Sequence, residues 1–149
     1  MTSAGVVLLL GLVPGFESWH EALDARGSAD EPIVVYVSRT DCTFCRRFEE
    51  DVLGPVLRSG EYAGVVVREL VLDAVAPGQD FGPLRVAGKD LEDSLGIVGT
   101  PTVLFLDSHG REIVMRRVGY APNDYAAYLL ERSLKEAMRR ASEAARVKR

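Results

Sequence analysis

Cys42 and Cys45, in the stretch Cys42-Thr43-Phe44-Cys45, are the two cysteines of this chain. A pair at this separation can cycle between dithiol and disulfide, with one sulfur attacking a disulfide that the other helps to hold. Ile33 to Val37 reads as a buried strand, and from Cys42 through Leu53 the pattern is helical. A cysteine at such a junction sits at a helix N-terminus, where unpaired backbone N–H groups and the positive end of the helix dipole favour thiolate over thiol. Cys42 is therefore expected to be the nucleophile and Cys45, one turn later, the resolving sulfur.

Other uses fit the pair less well. A structural disulfide or two buried thiols would not call for a helix start. Copper(I) would suit soft sulfurs, but no methionine or histidine lies near them in sequence, and neither a metal nor another cofactor is expected. Two cysteines are too few for a disulfide scaffold or for a four-cysteine zinc ribbon within one chain.

Positioning such a pair requires a framework, and the remaining pattern supplies one. Glu17 to Arg26 reads as a short amphipathic helix, with Trp19 and Leu23 on one face and Gly27 placed to end it. Ile33 to Val37 has no polar alternation, so a central strand covered on both faces is expected. The helix carrying Cys45, Phe48, Val52 and Leu53 should be interrupted at Gly54-Pro55. Val65 to Leu72 is the next strand, which makes a βαβ unit with parallel strands. Ala74 to Gly88 reads as a long loop and Lys89 to Leu95 as a short helix. Thr102 to Leu106 and Ile113 to Val118 form a hairpin, with His109 a turn residue and His20 a surface residue. Asn123 opens a last helix whose Leu130, Leu134, Ala137, Met138, Ala141 and Ala145 repeat at helical spacing.

With 149 residues, 47% of them hydrophobic, and a net charge of −4, the chain fits one domain with its own core. A pI near 5.2 gives no electrostatic reason to expect nucleic acid. Arg139, Arg140, Arg146, Lys148 and Arg149 gather where a helix C-terminus presents its negative end, so a solvated terminus accounts for them. Ala4 to Val13 is an apolar run too short to span a membrane and suited to the core of an export leader. Residues 1–15 are expected to be such a leader, cut near Phe16, with residues 16–149 as the domain. That makes the protein periplasmic or otherwise exported. The competing expectation is an apolar element packed on the core of a cytoplasmic protein.

Cys42-Thr43-Phe44-Cys45 after a hydrophobic strand, together with Gly99-Thr100-Pro101-Thr102 before a hairpin, resembles the thioredoxin superfamily. The resemblance runs from about Glu17 to the final helix and rests on two motifs in the right order. It implies a thioredoxin-like α/β fold, a central mixed sheet flanked by helices with the cysteine pair at a strand-to-helix junction. It also implies thiol-disulfide exchange on protein or peptide substrates, with a cis Pro101 beside the nucleophilic sulfur. Thr100 and Pro101 would align the substrate chain, and Thr43 and Phe44 would touch it. Within the superfamily the spacing looks closest to small exported bacterial proteins and to the C-terminal thioredoxin-like domain of the membrane reductase DsbD. A disulfide reductase is expected, served by an upstream thiol donor such as a membrane reductase, and acting as a monomer. An oxidase or isomerase with opposite electron flow, or a copper-binding or peptide-binding module without turnover, are the alternatives.

Three departures stand out. Asp41 replaces the tryptophan usual before the first cysteine, Thr-Phe replaces Gly-Pro between the cysteines, and Tyr36 stands where the family carries a buried acid. That acid is understood to take the proton from the second cysteine. A phenol with an ordinary pKa near 10 cannot do so at neutral pH, so Tyr36 is expected to order a water or fill space while solvent or Glu49 accepts the proton.

Overall fold

The computed structural model describes residues 13–84, 91–123 and 125–148. Its centre is strand β1, Ile33–Ser38, all six residues of which are buried. β1 pairs in parallel with β2 (Val66–Val71) and antiparallel with β3 (Thr102–Leu106). β4 (Glu112–Val118) pairs antiparallel with β3, so the sheet order is β2-β1-β3-β4. The apolar run of β1 is thus explained by two strand neighbours and two covered faces.

Alternation along the strands divides the core in two. Val34, Tyr36, Val103 and Phe105 face one side, with Cys42, Cys45, Phe48, Leu130 and Leu134. Ile33, Val35, Val37, Leu104 and Leu106 face the other, with Trp19, Phe81, Leu84 and Leu95. Helix α1 (Trp19–Asp24) covers this second face, its first turn capped by the Ser18 side chain accepting from Glu21 N–H at 3.0 Å. Helix α4 (Leu91–Leu95) also contributes to it.

The helix that begins as α2, Thr43–Phe48, is interrupted ahead of Gly54-Pro55, as the sequence pattern suggests, but it is not ended there. The chain continues through a π-turn, Glu49–Leu53, into α3, Gly54–Arg58. The Gly54 N–H reaches back five residues to the Glu49 carbonyl. Pro55 has no N–H to give, and its ring would collide with the carbonyl four residues back in an unbroken α-helix. The wider turn relieves both problems without ending the helix.

Helix α5, Tyr125–Val147, buries Leu130, Ser133, Leu134, Ala137 and Ala141 against the first face. Asn123 accepts the Tyr125 N–H at 2.9 Å, which places it at the helix start. Arg139 and Arg140 both pair with Glu136, within the helix rather than at an open anion site.

Most of the Ala4 to Val13 run lies outside the described residues, as do residues 85–90 of the expected loop and short helix. Val13 is buried, and the segment after it is tied to the sheet. The Phe16 N–H donates to Glu69 O at 2.8 Å, and the Glu69 N–H to Pro14 O at 2.9 Å. Gly15 thereby bridges β2 in parallel. Phe16 stacks on Phe81 with ring centroids 5.6 Å apart, which draws the middle of the loop after β2 onto the same face. No helix among the described residues is long and apolar enough to cross a membrane.

Candidate active site

Cys42 is the N-cap residue of α2, with extended backbone at φ −121°, and it is joined to Cys45 by a disulfide. The Cys45 N–H donates to the Cys42 sulfur at 3.1 Å. Thr100 Oγ1 lies 3.4 Å from the same sulfur, which carries no proton in the disulfide, so the hydroxyl is the donor. Two donors converging on one sulfur would stabilise negative charge there once the disulfide opens. Cys45 receives no comparable donor among the described hydrogen bonds.

Disulfide exchange needs an attacking sulfur that a substrate can reach, and access to the pair is limited in this state. In the disulfide form Cys42 is 9% exposed and Cys45 2%, and Thr100 O lies 3.7 Å from the Cys42 sulfur. The order of access still runs from Cys42 to Cys45. Phe44, 54% exposed, and Val98, 85% exposed, supply apolar surface on the α2 start and on the segment leading to Thr100. Thr43 is also exposed and accepts from Arg46 at 3.4 Å.

Thr100 and Pro101 are joined by a cis peptide bond, which brings Thr100 over the sulfur. The loop is tied at both ends, by Thr102 Oγ1 donating to Gly99 O at 2.6 Å and by the Gly119 N–H donating to Pro101 O at 2.7 Å. On the other side of the pair, Asp73 accepts from the Thr40 N–H at 3.0 Å and from its hydroxyl at 2.5 Å. Those hydrogen bonds hold the Asp73 carboxyl below the usual carboxylate range. Arg39 makes an ion pair with Glu92. Thr40, Asp73 and the Arg39 pair fix the turn that delivers Cys42, and no motif in the sequence marks them.

Tyr36 and Glu49, distant in sequence, meet behind Cys45. The Tyr36 hydroxyl donates to Glu49 Oε1 at 2.8 Å and lies 3.3 Å from the Cys45 carbonyl. Burial, reinforced by the Glu49 carboxylate, pushes the phenol far above its ordinary range. Burial also pushes Glu49 up, with Glu69 and Glu50 adding to the effect. The Tyr36 hydrogen bond and Arg46 work against it. The phenol therefore remains a donor, and of the pair Glu49, raised above the ordinary carboxylate range, is the side chain able to give up and take back a proton.

The two histidines stand apart from this site: His20 contacts Asp24 on the exposed face of α1, and His109 contacts Lys148. Among the described residues no cluster of three or more His, Cys, Asp or Glu side chains is placed to hold a metal.

A four-stranded mixed sheet flanked by helices, with a disulfide at a strand-to-helix junction facing a cis-proline loop, defines a dithiol protein of the thioredoxin-like class. The sequence matches the thioredoxin-like domain family over residues 19–133, and the chain belongs to that family. Among solved structures it is similar to a thioredoxin from Nicotiana alata, with 23% identity, a TM-score of 0.56, and coverage of 85% of this chain and 93% of the other. It is also similar to the DsbH oxidoreductase, with 19% identity, a TM-score of 0.53, and coverage of 83% and 85%. The periplasmic thioredoxin SoxS from Paracoccus pantotrophus matches with 20% identity, a TM-score of 0.50, and coverage of 72% and 99%. At these identities the likeness is one of fold. A comparison with curated proteins found no match. Family membership and the cysteine pair together support thiol-disulfide oxidoreductase activity.

Proposed function

We propose that this protein reduces disulfides in protein or peptide substrates through the Cys42/Cys45 dithiol. The observation that carries exchange through Cys42 is the convergence of the Cys45 N–H and the Thr100 hydroxyl on its sulfur at the start of α2, and the reductive direction rests on the resemblance of the cysteine segment to exported thioredoxin-like reductases. In the reduced protein the Cys42 thiolate attacks one sulfur of the substrate disulfide, forming a mixed disulfide and expelling the other substrate sulfur as a thiolate that takes up a proton. Cys45 then loses its proton and attacks the Cys42 sulfur, releasing the second substrate thiol. The protein is left with the Cys42–Cys45 disulfide, and two electrons and two protons from an upstream dithiol donor restore it.

Thr100 and Pro101 align the substrate backbone, while Thr43 and Phe44 meet its side chains at the rim. Glu49, steadied by Tyr36, receives the Cys45 proton. The donor's identification with a membrane reductase rests on the resemblance of the cysteine segment to the DsbD domain. An exported location rests on the apolar run ahead of Val13, and the monomer on a domain that completes its own two-sided core.

The expected outcome is that Cys42→Ser abolishes reduction of a protein disulfide, whereas Cys45→Ser accumulates mixed disulfides through Cys42. In the reduced protein Cys42 should be alkylated faster than Cys45. Reversal of that order would exchange the two roles. A glutathione redox titration settles direction: a potential near the thioredoxin value of about −270 mV supports reduction, and one near about −120 mV makes the protein an oxidant.

A further inference from the structure

Beyond the cis-proline loop, the end of β4, the start of α5 and Phe48 enclose a cleft of about 490 Å3. Its apolar wall includes Phe48, Ala126, Leu129 and Leu130. It adjoins the active site at two points. Gly119 on its rim donates to Pro101 O at 2.7 Å, and the Phe48 ring, one turn past Cys45, packs 5.8 Å from the Tyr36 ring.

The polar part of the lining is one-sided. Arg116 is already committed to Glu112 and to Leu95 O. Arg117 is half-buried, and its Nε donates at 2.8 Å to Ser133 Oγ, a hydroxyl on a residue only 1% exposed. Its terminal nitrogens have no acceptor among the described residues. Asn123 accepts the Tyr125 N–H through Oδ1, and its amide nitrogen has no acceptor among the described residues. No described carboxylate lines the cleft. A guanidinium oriented by a neutral hydroxyl, with the rest of its planar fork free, matches the geometry of a carboxylate.

We infer that this cleft is a specificity pocket for an acidic side chain of the disulfide substrate, with Arg117 and Asn123 holding its carboxylate and Phe48 and Leu129 receiving the apolar part of the same segment. The inference deepens the reductase reading and rests on it, since the segment is placed here by a peptide aligned on Thr100 and Pro101. Ser133 acts as a positioning residue that fixes the fork. The volume lies within the range usual for small-molecule sites, and its continuity with Pro101 favours a tethered side chain over a free anion.

The test uses fluorogenic peptide disulfides in matched pairs, with Glu or Gln placed two to five residues from the cysteine on either side. At one or more of these positions the native protein should show a Glu-over-Gln ratio in kcat/KM of about tenfold, shrinking in 0.5 M NaCl. Arg117→Met should bring that ratio to about one, with Arg117→Lys between them. A ratio near one at every position in the native protein, or a ratio that survives Arg117→Met, overturns the inference. Calorimetric binding of the same peptides with cysteine replaced by serine reads the pocket without chemistry. If neither disulfide peptide is reduced but the serine peptides differ about tenfold, the exchange reading falls and the pocket stands. If both are reduced equally and bind equally, the pocket falls alone. Binding of free N-acetylglutamate as tight as that of the Glu peptide would make this a site for small anions, against the inference.

Discussion

Behind Cys45 a phenol and a carboxylate share one hydrogen bond, and the chemistry of the second half of the cycle depends on which of them can hold a proton. The Tyr36 hydroxyl, raised first by burial, stays protonated and spends its hydrogen on Glu49. Glu49, also raised first by burial, is the group of the two that can exchange a proton. Resolution of a preformed mixed disulfide should therefore accelerate as pH rises through a Glu49 ionisation above the ordinary carboxylate range. Glu49→Gln should slow it on the order of 10²-fold and erase that limb. Tyr36→Phe removes a hydrogen bond that lowers the Glu49 pKa, so the limb should move to higher pH. Stopped-flow measurement across pH reads both variants, and an unmoved limb in Tyr36→Phe would show that the hydroxyl does not tune Glu49. The linkage has a matching sign. Because folding raises the Glu49 pKa, its favourable contribution to stability exists below the ordinary carboxylate value and is lost as pH rises through the raised value. Glu49→Gln should flatten that slope in urea midpoints.

At the scale of elements, the segment ahead of α1 is part of the sheet. Val13 and Phe16 are buried, and two backbone hydrogen bonds join Pro14 and Phe16 to Glu69. A chain beginning at Glu17 should lose on the order of 3 kcal/mol or more relative to one beginning at Val13, through two buried side chains and two hydrogen bonds. Equal urea midpoints for the two would show that the segment adds nothing to the fold. An export cut that spares the fold then falls at or before Val13 rather than at Phe16, which a mass measurement of the mature N-terminus checks. Helix α2 makes the companion point. Gly54-Pro55 interrupts the pattern, and Val52, Leu53 and Val56 on either side are buried in the same core. Burial of both flanks, with a π-turn to absorb the proline, outweighs the local break.

For the whole molecule, redox state and folding are one equilibrium. The disulfide closes over the first core face, with Cys42 and Cys45 packed among Tyr36, Phe48 and Val103. If the protein is a reductant, its native pair must be harder to reduce than the same pair in the unfolded chain. By the thermodynamic cycle the disulfide form is then the more resistant to urea. An oxidant shows the reverse, since its reduced form is the one stabilised. Urea unfolding with and without a reducing agent measures the difference, and about 1.4 kcal/mol corresponds to about 30 mV. A more stable dithiol form would contradict the reductase assignment.

Much of this molecule follows from local pattern. The unbroken apolar run at Ile33 to Val37, the helical periodicity after Cys42 and along α5, and the turn at Asp107 to Gly110 depend on neighbours within a few residues. Side-chain period and backbone preference are already decided at that range. They sufficed for the parallel pairing of β1 with β2, for the β3–β4 hairpin and for the cysteines at the head of α2, whereas the mixed sheet and Thr100-Pro101 as the facing loop came from the resemblance to the thioredoxin superfamily. Only the tertiary structure brought Tyr36 onto Glu49, pinned Thr40 with Asp73, laid Pro14 to Phe16 along β2, and set Arg117 against Ser133. Each of these joins residues from different elements whose meeting depends on strand register and helix path. Neither is written in the spacing of either partner, because the free energy that fixes them comes from burial of the whole core at once.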